Sequence, residues 1–277
     1  MSIQNSVALV TGASSGIGAA TAERLAKAGY KVYGTSRRAG QAGQRAFRML
    51  PLDVTSDDSV AAVIGEVIRL EGRIDVLVNN AGFSVAPAGA EEISLDQARS
   101  IFDTNFFGTV RMTRAVVPYM RNQGSGRIIN IGSVLGFLPA PYMALYSASK
   151  HAVEGFSESL DHELRTRGIR VSVIEPAYTS TRFEANLLEA DSKIAEYHEA
   201  RTSMTKLLKE VLATADDPRI VADVVLEAAR APRPKLRYTS GPLAKRLRLL
   251  RRFAPTRLVD AGIRKDLRLD ALKAASL

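Results

Sequence analysis

The sequence predicts a doubly wound α/β fold, a three-layer α/β/α sandwich around a mainly parallel, seven-stranded sheet. Short β-branched runs alternate with longer helical patterns along most of the 277 residues, which is the order that crossover helices between parallel strands impose. The strand runs are apolar nearly throughout, as strands covered on both faces must be. A glycine-rich turn leaves the first strand and opens the first helix, the setting of a nucleotide-binding crossover.

The elements follow in order. Residues 7–10 (VALV) form the first strand and 16–28 the first helix. Strands at 31–35 and 47–50 come next. Residues 56–70 are a helix with Ser56 as its cap and one apolar stripe of Val60, Val63, Ile64, Val67 and Ile68. Residues 74–78 are a buried strand, apolar except for Asp75. A helix spans 95–120, and Pro118 near its end should stop or kink it. A strand at 127–131, a helix at 146–166 and a strand at 169–174 complete the series. Residues 183–215 read as helical and lie beyond the sixth strand, where a lid over a ligand crevice belongs.

Residues 1–240 show no internal repeat, linker or composition break and read as a single domain that includes this lid, with 241–277 a basic helical extension. A hydrophobic fraction of 46% with 24% charged residues excludes a mainly disordered or fibrous chain. The absence of Cys excludes a disulfide scaffold, a thiolate metal site and a Cys nucleophile, and it fits a reducing cytoplasm. The N-terminal MSIQNS lacks a basic n-region, and no apolar run approaches the length of about 18 residues that a membrane helix needs. The net charge of +9 suggests a polyanion partner, but its distribution does not. Residues 230–277 hold 14 Lys+Arg against 3 Asp+Glu, whereas residues 1–229 hold 24 against 26. The basic tail has no nucleic-acid-binding motif and few aromatics, so no nucleic acid is expected.

The turn reads Thr11-Gly12-Ala13-Ser14-Ser15-Gly16-Ile17-Gly18. Gly12 permits the tight turn, Gly16 the approach of backbone to a pyrophosphate, and Gly18 the packing of helix on sheet. Amides of Ser14, Ser15 and Ile17 at the helix start then face the anion. At the end of the second strand, where an NAD site carries an acid for the ribose hydroxyl, the chain has Thr35-Ser36-Arg37-Arg38. Ser36 can bond a 2′-phosphate, and Arg37 or Arg38 can pair with its charge, so NADP(H) is favoured over NAD(H).

Tyr146 and Lys150 are spaced i, i+4 on a helix and face the same way. A phenol with a pKa near 10 needs help to exchange a proton at neutral pH, and a neighbouring ammonium supplies it. Ser133 follows a strand end, well placed to hold a substrate carbonyl oxygen.

With these residues the chain resembles the short-chain dehydrogenase/reductase family in its single-domain, Rossmann-type form. Thr11–Gly18 matches the family's TGxxxGxG loop, residues 79–82 its NNAG motif, Asn105 and Gly108 in TNFFG its helix Asn, and Ser133, Tyr146 and Lys150 its catalytic serine and YxxxK. Pro176 holds the place of its PG motif, from which Ala177 departs by replacing the Gly. The resemblance implies that Tyr146 is the general acid of reduction and the base of oxidation. Lys150 would bond the nicotinamide ribose and depress the Tyr146 pKa, Ser133 would polarise the carbonyl, and Asn105 would hold a water linking Lys150 to solvent. Asp53, beside Val54, would bond the adenine, Asn79 would stabilise the central strand beside the cofactor, and Ala81 and Gly82 would line the cofactor. Thr179 or Thr181, after Pro176 and Ala177, would contact the carboxamide or diphosphate. Homo-oligomerisation as a dimer or tetramer is also implied.

Phe83, Val85, Leu135, Phe137, Leu138, Tyr142, Met143 and Phe183 surround this set, some as crevice lining and some as core. They favour a bulky hydrophobic carbonyl or secondary alcohol over a sugar. Residues 146–183 are similar to the steroid- and retinol-dehydrogenase-like branch, which implies the same. His151, next to Lys150, points about 100° away and reads as structural. His162 and His198 lack companions at metal-ligand spacing, so no metal is expected. Two other activities fit the same motifs: reduction of a 3-oxoacyl thioester whose acidic carrier docks on the tail, and dinucleotide sensing without turnover. In the tail, Leu243, Leu247, Leu250 and Ala254 fall at helical spacing among Lys245, Arg246, Arg248, Arg251 and Arg252. Such a helix can lie on an anionic membrane, cover the pocket mouth or meet a second subunit.

Overall fold

Seven strands follow one another among the described residues: β1 (Val7–Val10), β2 (Lys31–Ser36), β3 (Arg48–Pro51), β4 (Val76–Asn79), β5 (Gly126–Ile131), β6 (Ile169–Pro176) and β7 (Arg237–Ser240). The computed structural model describes residues 6–38, 45–181 and 187–269. The strand pairings are parallel, in the order β3-β2-β1-β4-β5-β6-β7. The chain therefore winds outward from β1 to β3, returns beside β1 with β4, and winds outward the other way. That reversal opens a crevice at the carboxyl ends of β1 and β4.

The helices are α1 (Gly16–Lys27), α2 (Asp57–Glu71), α3 (Leu95–Phe102), α4 (Gly108–Gln123), α5 (Ala144–Leu164), α6 (His198–Leu212), α7 (Pro218–Arg230), α8 (Gly241–Phe253) and α9 (Thr256–Asp266). Successive side chains of a strand point to opposite faces, and the core divides accordingly. Ala8, Val10, Val76 and Val78 pack with Ala22 and Leu25 of α1 and Val221 and Val225 of α7. Val7, Leu9 and Leu77 pack with Val63 and Val67 of α2 and Met112 and Val116 of α4 on the other face. Ser56 caps α2 as expected, its hydroxyl accepting the Ser59 amide at 3.2 Å. None of the helices among the described residues is long and apolar enough to cross a membrane.

Two readings need correction. Pro118 does not end its helix, which runs on to Gln123 and stops at Gly124, in the left-handed region at φ +68°. Pro118 lies on the exposed side, where the carbonyl that loses its donor meets water, while the fully buried Val116 and Met120 hold the turn against the sheet. The break in the 95–120 helix comes earlier, at a π-helical turn over Asp103–Phe107 that carries Asn105. Such single π turns favour functional sites because they turn one residue out of helical register.

The lid is also less helical than its periodicity suggests. Residues 182–186, including Phe183, lie outside the described residues. Leu188 pairs with Val85 as a parallel bridge, its carbonyl accepting the Ala86 amide at 2.7 Å, and regular helix begins only at His198.

Candidate active site

The crevice is a cavity of about 1610 Å³ that reaches from the glycine turn to the C-terminal helices. Pockets for one small ligand hold about 300–1,000 Å³, so this one has room for two partners side by side.

At one end the glycine turn is drawn tight against the strand-end residues that follow β4. Thr11 Oγ1 accepts the amides of Asn80 and Ala81 at 2.9 and 3.0 Å, and Asn80 Nδ2 donates to the carbonyls of Thr11 and Gly12 at 2.9 and 3.2 Å. Gly12 takes φ +68°, and a Cβ on Gly18 would lie 2.3 Å from the Gly12 carbonyl oxygen. No side chain fits at position 18, and the start of α1 comes down onto the turn. Gly12, Ser14, Ser15, Gly16 and Ile17 line the cavity, whereas Gly18 lies behind them.

Ser36, Arg37, Arg38, Asp53, Val54, Ala81 and Gly82 line the same end. The buried Ser36 hydroxyl finds no hydrogen-bond partner among the described residues, an orphan that a ligand oxygen would satisfy. Asp53 Oδ1 accepts the Thr55 amide at 3.0 Å and hydroxyl at 2.7 Å, which hold its carboxyl below the usual range. These residues fit a dinucleotide: an amide-rich turn for its phosphates, an unused hydroxyl beside two arginines, and an ionised carboxylate farther along. Arg45, which sequence reasoning passed over, joins them. Its guanidinium donates to the Ser14 carbonyl at 2.8 Å and stacks 5.5 Å from the Phe47 ring. Its distance from the glycine turn in the chain left only its charge as a signal.

At the centre, α5 presents Tyr146 and Lys150 on one face. Lys150 Nζ donates to the Ile131 carbonyl at 2.8 Å and lies 5.7 Å from the Tyr146 ring centre. Ser133 follows β5, hydrogen-bonds the Tyr146 hydroxyl, and accepts the Leu135 amide at 3.1 Å. Burial dominates both titratable groups. It pushes the Tyr146 phenol up to about 12, with the Ser133 hydrogen bond working against it, so burial outweighs the depression by Lys150 that the resemblance implied. It pulls the Lys150 ammonium down to about 8, opposed by the charge of Glu154.

Asn105 and Asn79 do not line the cavity. Asn105, 2% exposed, braces the Phe83 backbone with both ends of its amide. Oδ1 accepts Phe83 N at 2.9 Å, and Nδ2 donates to Phe83 O at 2.9 Å and to Ser149 Oγ at 3.2 Å. Asn79 Nδ2 donates to Asn130 Oδ1 at 2.9 Å, and Asn130 Nδ2 to Ser157 Oγ at 2.8 Å, a chain of side-chain bonds from β4 through β5 to α5. Pro176, the last residue of β6, and Ala177, Thr179 and Thr181 beyond it line the cavity. His151 is exposed, with Nδ1 2.9 Å from the Ser147 carbonyl, and takes no part in the cavity.

The far end is apolar. Phe83, Leu135, Leu138 and Met143 line it as expected, but Val85, Phe137 and Tyr142 do not. Val85 is 3% exposed in a packing cluster beside the cavity, Phe137 lies under Arg248, and Tyr142 packs edge-on to Tyr197. Leu207, Leu208, Val211 and Leu212 of α6 form one wall. Leu243, Leu247 and Leu250 of α8 and Ala254 just after it, with Leu258, Val259 and Ile263 of α9, form the other. The helical stripe of the basic tail thus faces the pocket.

Comparison with known proteins gives a consistent picture. A family model described as short chain dehydrogenase matches residues 6–192. The 3-ketodihydrosphingosine reductase of Bacteroides thetaiotaomicron is 38% identical over 246 residues, spanning 88% of this chain and 90% of that protein. The human 17-beta-hydroxysteroid dehydrogenase type 1 is 37% identical over 253 residues, spanning 84% of this chain and 76% of that one. Among solved structures, a short-chain dehydrogenase from Streptomyces avermitilis superposes with a TM-score of 0.79 at 32% identity, covering 98% of this chain and 99% of its own. One from Burkholderia phymatum in complex with NAD gives 0.78 at 27% identity, covering 90% and 94%.

Proposed function

The chain belongs to the short-chain dehydrogenase/reductase family, and on that premise we propose that it is an NADP-dependent oxidoreductase acting on a hydrophobic carbonyl or secondary alcohol. The observation that carries this reading is the cavity itself. It joins an anion-binding turn, a Ser133–Tyr146–Lys150 set and an apolar chamber in one continuous space.

The dinucleotide supplies or accepts the hydride. Ser133 holds the substrate oxygen beside the Tyr146 hydroxyl, to which it is hydrogen-bonded. Tyr146 passes its proton to the oxygen that gains charge in reduction and takes one back in oxidation. Lys150, anchored on the Ile131 carbonyl, keeps a positive charge next to the phenol. Asn105 acts at one remove by fixing the backbone at Phe83. Pro176, Ala177 and Thr179 or Thr181 close over the nicotinamide end.

Preference for the 2′-phosphate rests on the orphan Ser36 hydroxyl and on Arg37, Arg38 and Arg45, with no acid at the end of β2. Two or three charge-assisted hydrogen bonds of about 1.5–3 kcal/mol each would favour NADPH by at least about a hundredfold. Titration of the protein with NADPH and NADH, followed by nucleotide fluorescence, checks this. Equal or tighter binding of NADH would sink the assignment. NADPH oxidation with ketones, aldehydes and acetoacetyl thioesters tests the activity. Turnover confined to the thioesters would favour a 3-oxoacyl reductase, and tight NADPH binding with no turnover would favour a sensor.

A second reading concerns the outer side of the tail. Leu249 and Phe253 are 51% and 72% exposed and stand among Lys245, Arg246, Arg252 and Arg257. This mixture suits the surface of an anionic bilayer, where each Lys or Arg contributes about 1 kcal/mol. The protein is expected to sediment with phosphatidylglycerol vesicles and to be released by salt. Equal sedimentation with phosphatidylcholine vesicles would exclude the electrostatic contact.

A further inference from the structure

Beneath the catalytic helix lies a cluster of charges that touches no reacting atom, although the charge of one member, Glu154, bears on Lys150. Glu154, one helical turn beyond Lys150, is 6% exposed, and Glu175 on β6 is fully buried. Each carboxylate has one oxygen taken by an arginine. Arg237 Nε donates to Glu154 Oε2 at 2.9 Å, and Arg248 Nη1 donates to Glu175 Oε1 at 2.9 Å. The remaining oxygens, Glu154 Oε1 and Glu175 Oε2, have no donor among the described residues although the two side chains face one another. Two bare carboxylate oxygens repel at that range, and one proton between them removes the conflict. Burial and the neighbouring charge of Glu154 accordingly push Glu175 up to about 7.

The proton leaves one net negative charge in the pair. Arg248 is drawn to it from outside the nucleotide-binding layers, because it belongs to α8. Its guanidinium also lies 4.8 Å from the centre of the Phe137 ring, on the turn just after Ser133. Arg248 therefore grips both the strand that carries Glu175 and the turn that follows the catalytic serine. On the same helix Leu243, Leu247 and Leu250 face the cavity. Other fastenings of α8 are weaker: Ala244 alone of its residues is buried, and Leu249, Leu250 and Phe253 are exposed.

We propose that the α8–α9 hairpin measures the chain length of the substrate and that Arg248, held by the Glu154–Glu175 pair, is the latch that seats it. This rests on the carbonyl-reductase reading above. It names the substrate class as one with a long flexible alkyl chain, since the hairpin prolongs the cavity as a lane of leucine, valine and isoleucine side chains. Glu175 and Arg248 are positioning residues: they touch no reacting atom, and they act through the wall they hold.

The test uses a homologous series of methyl ketones with the full chain, NADPH, and the variants Glu175→Gln and Arg248→Met. In the unaltered protein kcat/KM is expected to rise about fourfold for each methylene that reaches the hairpin. In either variant that rise flattens through KM, while kcat for the shortest ketone and the affinity for NADPH stay unchanged. Hydrogen exchange supplies a readout independent of turnover. Protection of residues 241–266 falls in both variants, and that of 144–164 does not. The Glu175→Gln/Arg248→Met double variant should be no worse than the worse single one.

Unchanged chain-length dependence in folded variants would overturn the gauge. Unchanged protection of 241–266 would overturn the latch. A protein that reduces no ketone of any length refutes the activity reading instead, and the exchange measurement still decides the latch.

Discussion

Replacing Tyr146 with phenylalanine is expected to lower turnover by about a hundredfold to ten-thousandfold, the range for loss of a positioned general acid. NADPH affinity should stay as it is. The substitution removes one hydroxyl and keeps the ring, so the packing around Lys150 survives. The hydroxyl is the group hydrogen-bonded to Ser133. Steady-state NADPH oxidation and a fluorescence titration of the same preparation check both halves. A variant that retains more than about a tenth of the activity would remove Tyr146 from proton transfer.

The pH dependence follows from the same pair. With the phenol near 12, Tyr146 stays protonated throughout the working range and does not itself limit reduction. Lys150, near 8, is the group that changes state, so reduction is expected to decline as pH rises through about 8. The stability effect has the opposite slope. Lys150 binds its proton less tightly folded than unfolded, where its value is 10.5. The folded state is thus penalised below about pH 8, and the penalty fades as pH rises from there toward 10.5.

The parts of the molecule that could be read beforehand are those whose signal lies within one turn or one strand. The i, i+4 spacing of Tyr146 and Lys150, the glycine turn between β1 and α1, and the apolar stripe of α2 are local, and each has one physical solution. β7 was not located, because Arg237–Ser240 is a short edge strand of partly polar residues without a marked period. The π turn at Asn105 left no trace in periodicity because Asp103–Phe107 is flanked by helix on both sides. Most of what escaped depends on contacts distant in the chain: Arg45 against the glycine turn, Arg248 against Glu175, α6 and α9 as facing walls. The leucine stripe of α8 was visible, but a stripe says only that something covers it. Pro118 misled for a different reason: a proline rule concerns backbone donors, and burial of Val116 and Met120 outweighed it.

A buried charge ties α6 and the stretch before it to the body, and removing its partner is expected to be costly. Glu92, fully buried in the turn before α3, takes three donors. Gly89 N reaches Oε2 at 2.7 Å, Ile194 N reaches Oε1 at 2.8 Å, and the guanidinium of Arg201 on α6 pairs with Oε1. The same guanidinium donates to the Ile194 carbonyl at 2.8 Å, so Arg201 ties the stretch before α6 to the helix as well as to the body. Arg201→Met keeps the length of the side chain and leaves the carboxylate with neutral donors only. Breaking a buried pair in this one-sided way costs about 3–5 kcal/mol. If that cost falls on the whole fold, Tm drops by roughly 10 °C. The geometry directs it to α6 first. That helix meets the body mainly through Ala200 and Met204, and the expected result is a lid that opens rather than a chain that unfolds. Leu207, Leu208, Val211 and Leu212 would then leave the cavity, raising KM for an apolar ketone with little change in the NADPH titration. The Glu92→Gln/Arg201→Met double variant separates charge from shape. It removes the stranded carboxylate while retaining an acceptor, and it should recover part of the lost stability, as read from thermal melts of the four proteins in the cycle. A double variant as unstable as the sum of the singles would show that Arg201 does not compensate the charge on Glu92.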